Sequence, residues 1–213
     1  VLLILTFFTD YDRQVGVAHV LERLARHQGH MPLKNAVVQF IAGAIALASG
    51  HSGGREGPAI HLGAAGSSLM GHYLKLPNNS IRVLVGCGAA AAIAASFNTP
   101  IAGVIFSMEV IIMEYTIAGF IPVILASVVA ALMTQLVFGS ATAFDVPAVS
   151  MASFLDLPVV LLEGVFIGVI AAVFVRTLLW INSAAPRQLW LRLVLAGGIT
   201  GTAAGFAPEI LGV

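Results

Sequence analysis

Residues Ser49 to Pro58, S-G-H-S-G-G-R-E-G-P, interrupt apolar sequence that otherwise continues from residue 35 to residue 74. Glycines allow backbone conformations that are closed to other residues, and Pro58 suits the first turn of a helix, where its missing N–H costs nothing. We therefore predict a new helix that begins at Gly57. The unpaired amide groups and the partial positive charge of such a helix start form an anion site made of backbone.

The composition indicates that lipid surrounds most of the chain. Of its 213 residues, 59% are hydrophobic and 9% are charged, whereas soluble domains typically carry about a quarter charged residues. The formal net charge is zero, which provides no basic footprint for a nucleic-acid partner. No zinc-protease or phosphate-loop motif occurs, and the six histidines lack metal-site spacing. We therefore expect a membrane protein that is not an enzyme and that holds neither a metal ion nor a cofactor.

Apolar stretches of uneven length predict the helices. Some are shorter than the ~20 residues of a clean membrane span, or close to it. Breaks at membrane depth are tolerated where the backbone is buried in protein or lines a polar cavity, a pattern typical of transporter sites. We predict an all-α, polytopic membrane fold with broken or re-entrant helices, in which the small-residue segments 63–66 and 89–95 are interior. The short stretches are 35–50, 57–74, 82–97 and 100–114, and those long enough to cross are 117–139, 155–183 and 189–206.

Glu56 stands directly before the predicted helix start. Its carboxylate can occupy the anion site formed by the helix amides, or swing away when it is protonated or displaced. An ionisable residue within a membrane is a functional candidate by default. The alternative is a structural role, in which Glu56 caps the helix or pairs with Arg55.

A second break occurs at Ser96-Phe97-Asn98-Thr99-Pro100. Asn98 is a favourable N-cap residue, and Pro100 suits the first turn of the helix that follows. We interpret Asn98 first as a structural cap of an ordinary interhelical turn. A direct role in an anion site is the alternative.

These motifs together resemble the CLC family of chloride channels and chloride/proton exchangers. The resemblance rests on G-R-E-G-P at 54–58, on the glycine- and alanine-rich helix that follows, and on S-F-N-T-P-I-A-G-V-I-F-S-M-E at 96–109. It implies a multi-pass protein of the cell membrane (inner or plasma membrane), assembled as a homodimer with one pore per subunit. Residues 1–213 would form part of its transmembrane domain, with 1–139 as most of the first of two inverted halves. Residues 140–213 would form the linker and the start of the second half.

The resemblance also implies the site residues. Glu56 corresponds to the gating glutamate, and the backbone amides of the same segment contribute to the anion site. The transported ligand would be chloride or a similar anion. The residues that correspond to the anion site are Gly54, Arg55, Glu56 and Gly57, together with Val15, Gly16 and Val17 of the family's first filter motif.

Two positions depart from the family pattern. Val15 replaces a serine whose hydroxyl coordinates the anion, so that only helix amides at Gly16 remain there. Val110, next to Glu109, replaces the inner glutamate that carries protons in exchangers. Because valine cannot relay protons, uncoupled conduction is favoured over proton-coupled exchange, unless Glu109 or Glu114 substitutes. A non-transporting membrane protein with a structural Glu56 is the alternative from another class.

Overall fold

The computed structural model describes residues 16–49, 54–139, 157–186 and 188–207, and every regular element in these ranges is helical. The prediction of an all-α membrane fold is confirmed. A π-helical segment, Ser107–Ile112, continues directly from α5. The α-helices are α1 (Gly16–Arg26), α2 (Leu33–Ala48), α3 (Glu56–Tyr73), α4 (Asn78–Phe97), α5 (Pro100–Phe106), α6 (Ile117–Phe138), α7 (Leu157–Ala184) and α8 (Leu189–Phe206).

Two compact units divide the chain. One comprises residues 1–144 with 203–213, and the other comprises residues 145–202. The buried core of the described residues lies in the first unit and is formed by α1 to α6, the π-helical segment and Met31. The second unit contains α7, an apolar helix of 28 residues in which no residue is buried. The predicted division of the chain at residue 139 stays a prediction.

Three helices of the described ranges are long and apolar enough to cross a membrane: α4 with 20 residues, α6 with 22 and α7 with 28. The stretch 82–97, expected to be shorter than a clean span or close to it, is part of the 20-residue helix α4. Pro77 adopts an extended conformation, and the polar residues that follow it form an additional first turn of α4. The apolar helices Leu33–Ala48 and Pro100–Ile112 are shorter, as expected of broken helices. Residues 189–206 form a helix, but this helix is not among the three that are long and apolar enough to cross a membrane.

α3 and α4 approach each other through glycine. A Cβ on Gly63 would overlap the carbonyl oxygen of Gly88, and a Cβ on Gly88 would overlap the carbonyl oxygen of Gly63. Such backbone contact is possible only where small residues line both helices. The neighbouring alanines Ala64, Ala89 and Ala90 are fully buried, whereas Gly66 is exposed, so the prediction that these segments are interior holds for part of each segment.

The second break differs from its prediction in one respect. Asn98 does not begin the next helix but ends α4, in the left-handed conformation with φ 56° and ψ 36°. Asparagine tolerates this conformation better than most residues, because its short polar side chain bonds locally. Thr99 stands at the N-cap of α5 without a side-chain capping bond, and Pro100 begins the helix as predicted. The Asn98 Oδ1 atom accepts a hydrogen bond from Gln135 Nε2 of α6 at 2.8 Å.

The contact between α3 and α4 generates a stability prediction. We expect Gly88→Ala to lower the free energy of unfolding by about 1–3 kcal/mol, because the added methyl group forces two backbones apart. Thermal unfolding of the intact protein in detergent measures this change. Gly66→Ala is the matched control on α3, since a Cβ there meets nothing within 4 Å. Equal stability of the two variants would contradict the packing role of Gly88.

Candidate functional site

The start of α3 is the centre of the candidate site. α3 begins at Glu56, one residue earlier than predicted, and Pro58 lies in its first turn. Arg55 occupies the N-cap position and makes no side-chain capping hydrogen bond. Its guanidinium Nη2 instead donates to the carbonyl oxygen of Ser96, near the end of α4, at 3.2 Å. The two breaks in the sequence are therefore joined by a direct hydrogen bond.

The Glu56 carboxylate folds back over Gly54. A Cβ placed on Gly54 would overlap Glu56 Oε2, the flexible end of that side chain, so a larger residue at position 54 would make the carboxylate move. The carboxylate therefore lies at the N-terminal end of α3, where unpaired amides and the helix dipole favour negative charge. An anion that approaches the same amides would compete with it. Gly54 and Arg55 are exposed, and Glu56 and Gly57 are half-buried.

A pair of buried histidines joins α3 to α1. His19 Nδ1 lies 3.1 Å from His61 Nε2, and both side chains are buried. His19 is three residues from the start of α1, and His61 is five residues from the start of α3, which correspond to roughly 5 and 8 Å of helix. His61 thus packs as a buried polar residue on the helix that begins at Glu56. The partner His19 was missed, although its position one turn after Gly16 mirrors that of His61.

α1 and α3 point in the same direction. A second histidine pair, His30 with His72, has its Nδ1 and Nε2 atoms 2.9 Å apart. Both members lie eleven residues after the members of the first pair, so the two segments run parallel. The helix starts at Gly16 and Glu56 therefore lie at the same end of this helix pair. The arrangement brings together two of the predicted anion-binding segments.

The residues of the first filter motif are described only in part. Val15 lies outside the described residues. Gly16 opens α1 with φ +81°, a conformation that favours glycine, and a Cβ there would meet nothing within 4 Å. The side chain of Val17 packs against the core, so Val17 offers a ligand only its backbone.

A cavity of about 890 Å³ opens beside the start of α3, between α3, α4 and the C-terminal half of α6. Much of its wall is formed by small residues, which is why the cavity exists between closely packed helices. Arg55 supplies a positive charge at its wall. The other polar side chains that line it are Ser67, Ser96, Asn98 and Thr134.

The inner position of the predicted proton path lies in the π-helical segment. Val110 is half-buried and packs against the core, whereas the neighbouring Glu109 is exposed. Glu114 accepts a hydrogen bond from Arg82 at 3.2 Å and forms an ion pair with it. Within the described ranges, no three His, Cys, Asp or Glu residues are grouped so that they could hold a metal ion.

Comparison with known proteins assigns the chain to a family. The sequence profile of the family described as "Voltage gated chloride channel" matches residues 1–213, the whole chain. The chain belongs to this family. The chloride channel protein CLC-f of Arabidopsis thaliana is 32% identical over 155 residues, which cover 70% of the chain and 20% of the relative.

Bacterial relatives of both functional types are similar to this member of the chloride channel family. The voltage-gated ClC-type chloride channel ClcB of Shigella boydii is 29% identical over 192 residues, 86% of the chain and 45% of the relative. The H(+)/Cl(−) exchange transporter ClcA of Vibrio cholerae is 31% identical over 140 residues, 64% of the chain and 30% of the relative. The chain thus spans about half, or less, of the length of these relatives. Family membership and its apolar helices identify it as an integral membrane protein.

The position of the Glu56 carboxylate generates a prediction for this family member. In Gly54→Ala, the added methyl group displaces the carboxylate from the helix start. We expect the rate of chloride efflux from liposomes that contain the intact protein to change at least severalfold. Gly168→Ala on α7 serves as the control, because it adds the same methyl group without a contact and does not line the cavity. Unchanged efflux in Gly54→Ala would show that the observed position of the Glu56 carboxylate does not control the movement of chloride.

Proposed function

We propose that the intact protein transports chloride or a similar anion across a membrane, along a path in which the Glu56 carboxylate is the gate. The observation that carries the proposal is the position of this carboxylate, folded over Gly54 at the N-terminal end of α3. A negatively charged side chain there competes with the transported anion for the same amides. Protonation or displacement of Glu56 frees the site.

The electrostatics of the helix starts support anion transport. α1 and α3 run parallel, so the partial positive charges at their N-termini lie at the same end of the pair. Arg55 adds a full positive charge at the wall of the adjacent cavity. Helix amides hold an anion without a buried lysine or arginine as a direct ligand. Such distributed binding suits conduction, because an ion must leave as readily as it enters.

Conduction without proton coupling is the favoured form of this function. Val110 stands at the position of the inner proton glutamate, and its side chain packs against the core. Valine has no group that exchanges protons. Two other glutamates are candidates to carry protons in its place. Glu114 is held in an ion pair with Arg82, and Glu109 is exposed. Proton-coupled exchange is the second candidate, because one relative is named as an H(+)/Cl(−) exchange transporter.

The assembly and location of the intact protein stay predictions from the family resemblance. They comprise a homodimer with one path per subunit and a place in the inner or plasma membrane. The resemblance likewise predicts that residues 1–139 supply most of one inverted half of the pore.

Glu56→Gln tests the gate. The amide is close in size to the carboxylate but uncharged, so it competes less well with an anion for the helix amides. We expect faster chloride efflux from liposomes at neutral pH and a flatter dependence of efflux on pH. Glu22→Gln is the control, because Glu22 belongs to a partly exposed pair with Arg26 on α1 that contributes little. An efflux rate and pH profile identical to those of the unsubstituted protein would remove Glu56 from the gate.

A second experiment separates conduction from exchange. In liposomes with a chloride gradient, no initial proton gradient, and potassium with valinomycin to balance the charge, we expect chloride efflux without net proton movement. The internal pH is followed with a trapped dye, while a chloride electrode records efflux. Proton pumping driven by chloride would establish exchange instead. Absence of chloride efflux would support the non-transporting alternative.

A further inference from the structure

The pair His30 and His72 lies away from the proposed anion site, where the loop between α1 and α2 meets the end of α3. The Nδ1 atom of His30 and the Nε2 atom of His72 are 2.9 Å apart, and the ring centroids are 4.5 Å apart. His30 is exposed and His72 is half-buried. Two imidazole nitrogens from different elements therefore meet where solvent and ions reach them.

The loop that carries His30 is held in place on both sides of the residue. Ser68 Oγ donates to the carbonyl oxygen of Gly29 at 2.7 Å and accepts from the backbone amide of Met31 at 3.0 Å. The carbonyl oxygen of His30 itself accepts from Arg23 Nε at 2.6 Å. Ser68 is buried on α3, one turn before His72. Both imidazoles are thus anchored to the same turn of α3, which lowers the cost of ordering them around a ligand.

The spacing of the two nitrogens fits a particular coordination geometry. With metal–nitrogen bonds of about 2.1 Å, two ligands 2.9 Å apart subtend an angle of about 90° at the metal. Adjacent positions of an octahedral or square-planar site have this angle, whereas a tetrahedral site needs a separation of about 3.4 Å. Cu²⁺ and Ni²⁺ favour tetragonal and square-planar geometry with nitrogen ligands.

The hydrogen bond between the two rings holds one proton, so one facing nitrogen donates it and the other accepts it with a lone pair. Metal binding replaces the hydrogen bond between the rings. The proton in that bond leaves the facing nitrogen, for an outer ring nitrogen or for solvent, so that both facing nitrogens donate lone pairs to the metal ion.

We propose that His30 and His72 form a binding site for a divalent transition-metal ion of the Cu²⁺ or Ni²⁺ type, with water in the remaining coordination positions. The bound ion connects the loop after α1 directly to the last turn of α3. These are the two helices that begin at Gly16 and Glu56. The proposal does not depend on the transported ion or on the gate.

Calorimetric titration with NiCl₂ tests the site on the intact protein in detergent, after removal of any polyhistidine tag. We expect about one ion per chain. We also expect His72→Gln and His30→Gln each to weaken binding at least tenfold, because metal sites lose 10–100-fold in affinity even when a supporting residue is removed. Glutamine keeps a polar side chain of similar reach, and size-exclusion chromatography checks that each variant is folded. His27→Gln is the matched control, an exposed histidine three residues from His30, and it should bind as the unsubstituted protein does.

Electron paramagnetic resonance with Cu²⁺ provides a second measurement that counts imidazole ligands. Two coupled imidazole nitrogens are expected in the unsubstituted protein and one in His72→Gln. Equal loss of Ni²⁺ affinity in His27→Gln would show unspecific binding by surface histidines and overturn the proposal. A single coupled imidazole in the unsubstituted protein, or undiminished affinity in both His30→Gln and His72→Gln, would also overturn it. None of these results involves chloride flux, so they stand apart from the test of the gate.

Discussion

The backbone contact between Gly63 and Gly88 is the constraint on which the site depends. It lets α3 and α4 approach until a single methyl group would separate them. At this distance the start of α3 lies beside the end of α4, where the Arg55 guanidinium reaches the carbonyl oxygen of Ser96. The end of α4 is in turn held to α6 through Asn98 and Gln135. A local packing requirement thus determines the position of the segment that carries Glu56.

The parallel arrangement of α1 and α3 has an electrostatic consequence. Two helix N-termini at one end combine their partial positive charges, and a membrane interior screens them less than water would. Polar contacts, rather than apolar packing alone, align the two helices. The buried pair His19 and His61 joins them near their starts, and Ser68 joins the loop after α1 to α3 near the other end. The Glu56 carboxylate then faces an environment that suits an anion.

Much of the fold follows from sequence patterns that depend on neighbouring residues. Apolar length predicted where the helices lie, and Gly54 to Pro58 predicted the start of α3 to within one residue. Asn98 was assigned to the wrong helix end, because asparagine serves both as an N-cap and as a left-handed helix end. In its left-handed conformation, the Asn98 side chain accepts a hydrogen bond from Gln135 of α6. The first turn of α4 was missed because the helices were predicted from the length of apolar stretches. This turn is formed by the polar residues Asn78, Asn79 and Ser80.

The sequence by itself determined that the chain is an all-α membrane protein of the chloride channel family, with an ionisable residue at a broken helix. These properties arise from composition, from glycine and proline at set positions, and from motif order, none of which needs a long-range contact. The structure, rather than the motif, showed that the Glu56 carboxylate lies over Gly54. It also decided which histidines pair, since His19 and His61, like His30 and His72, are 42 residues apart in the chain. Such contacts are decided by how the helices pack against one another, because residues this far apart meet only after the helices associate.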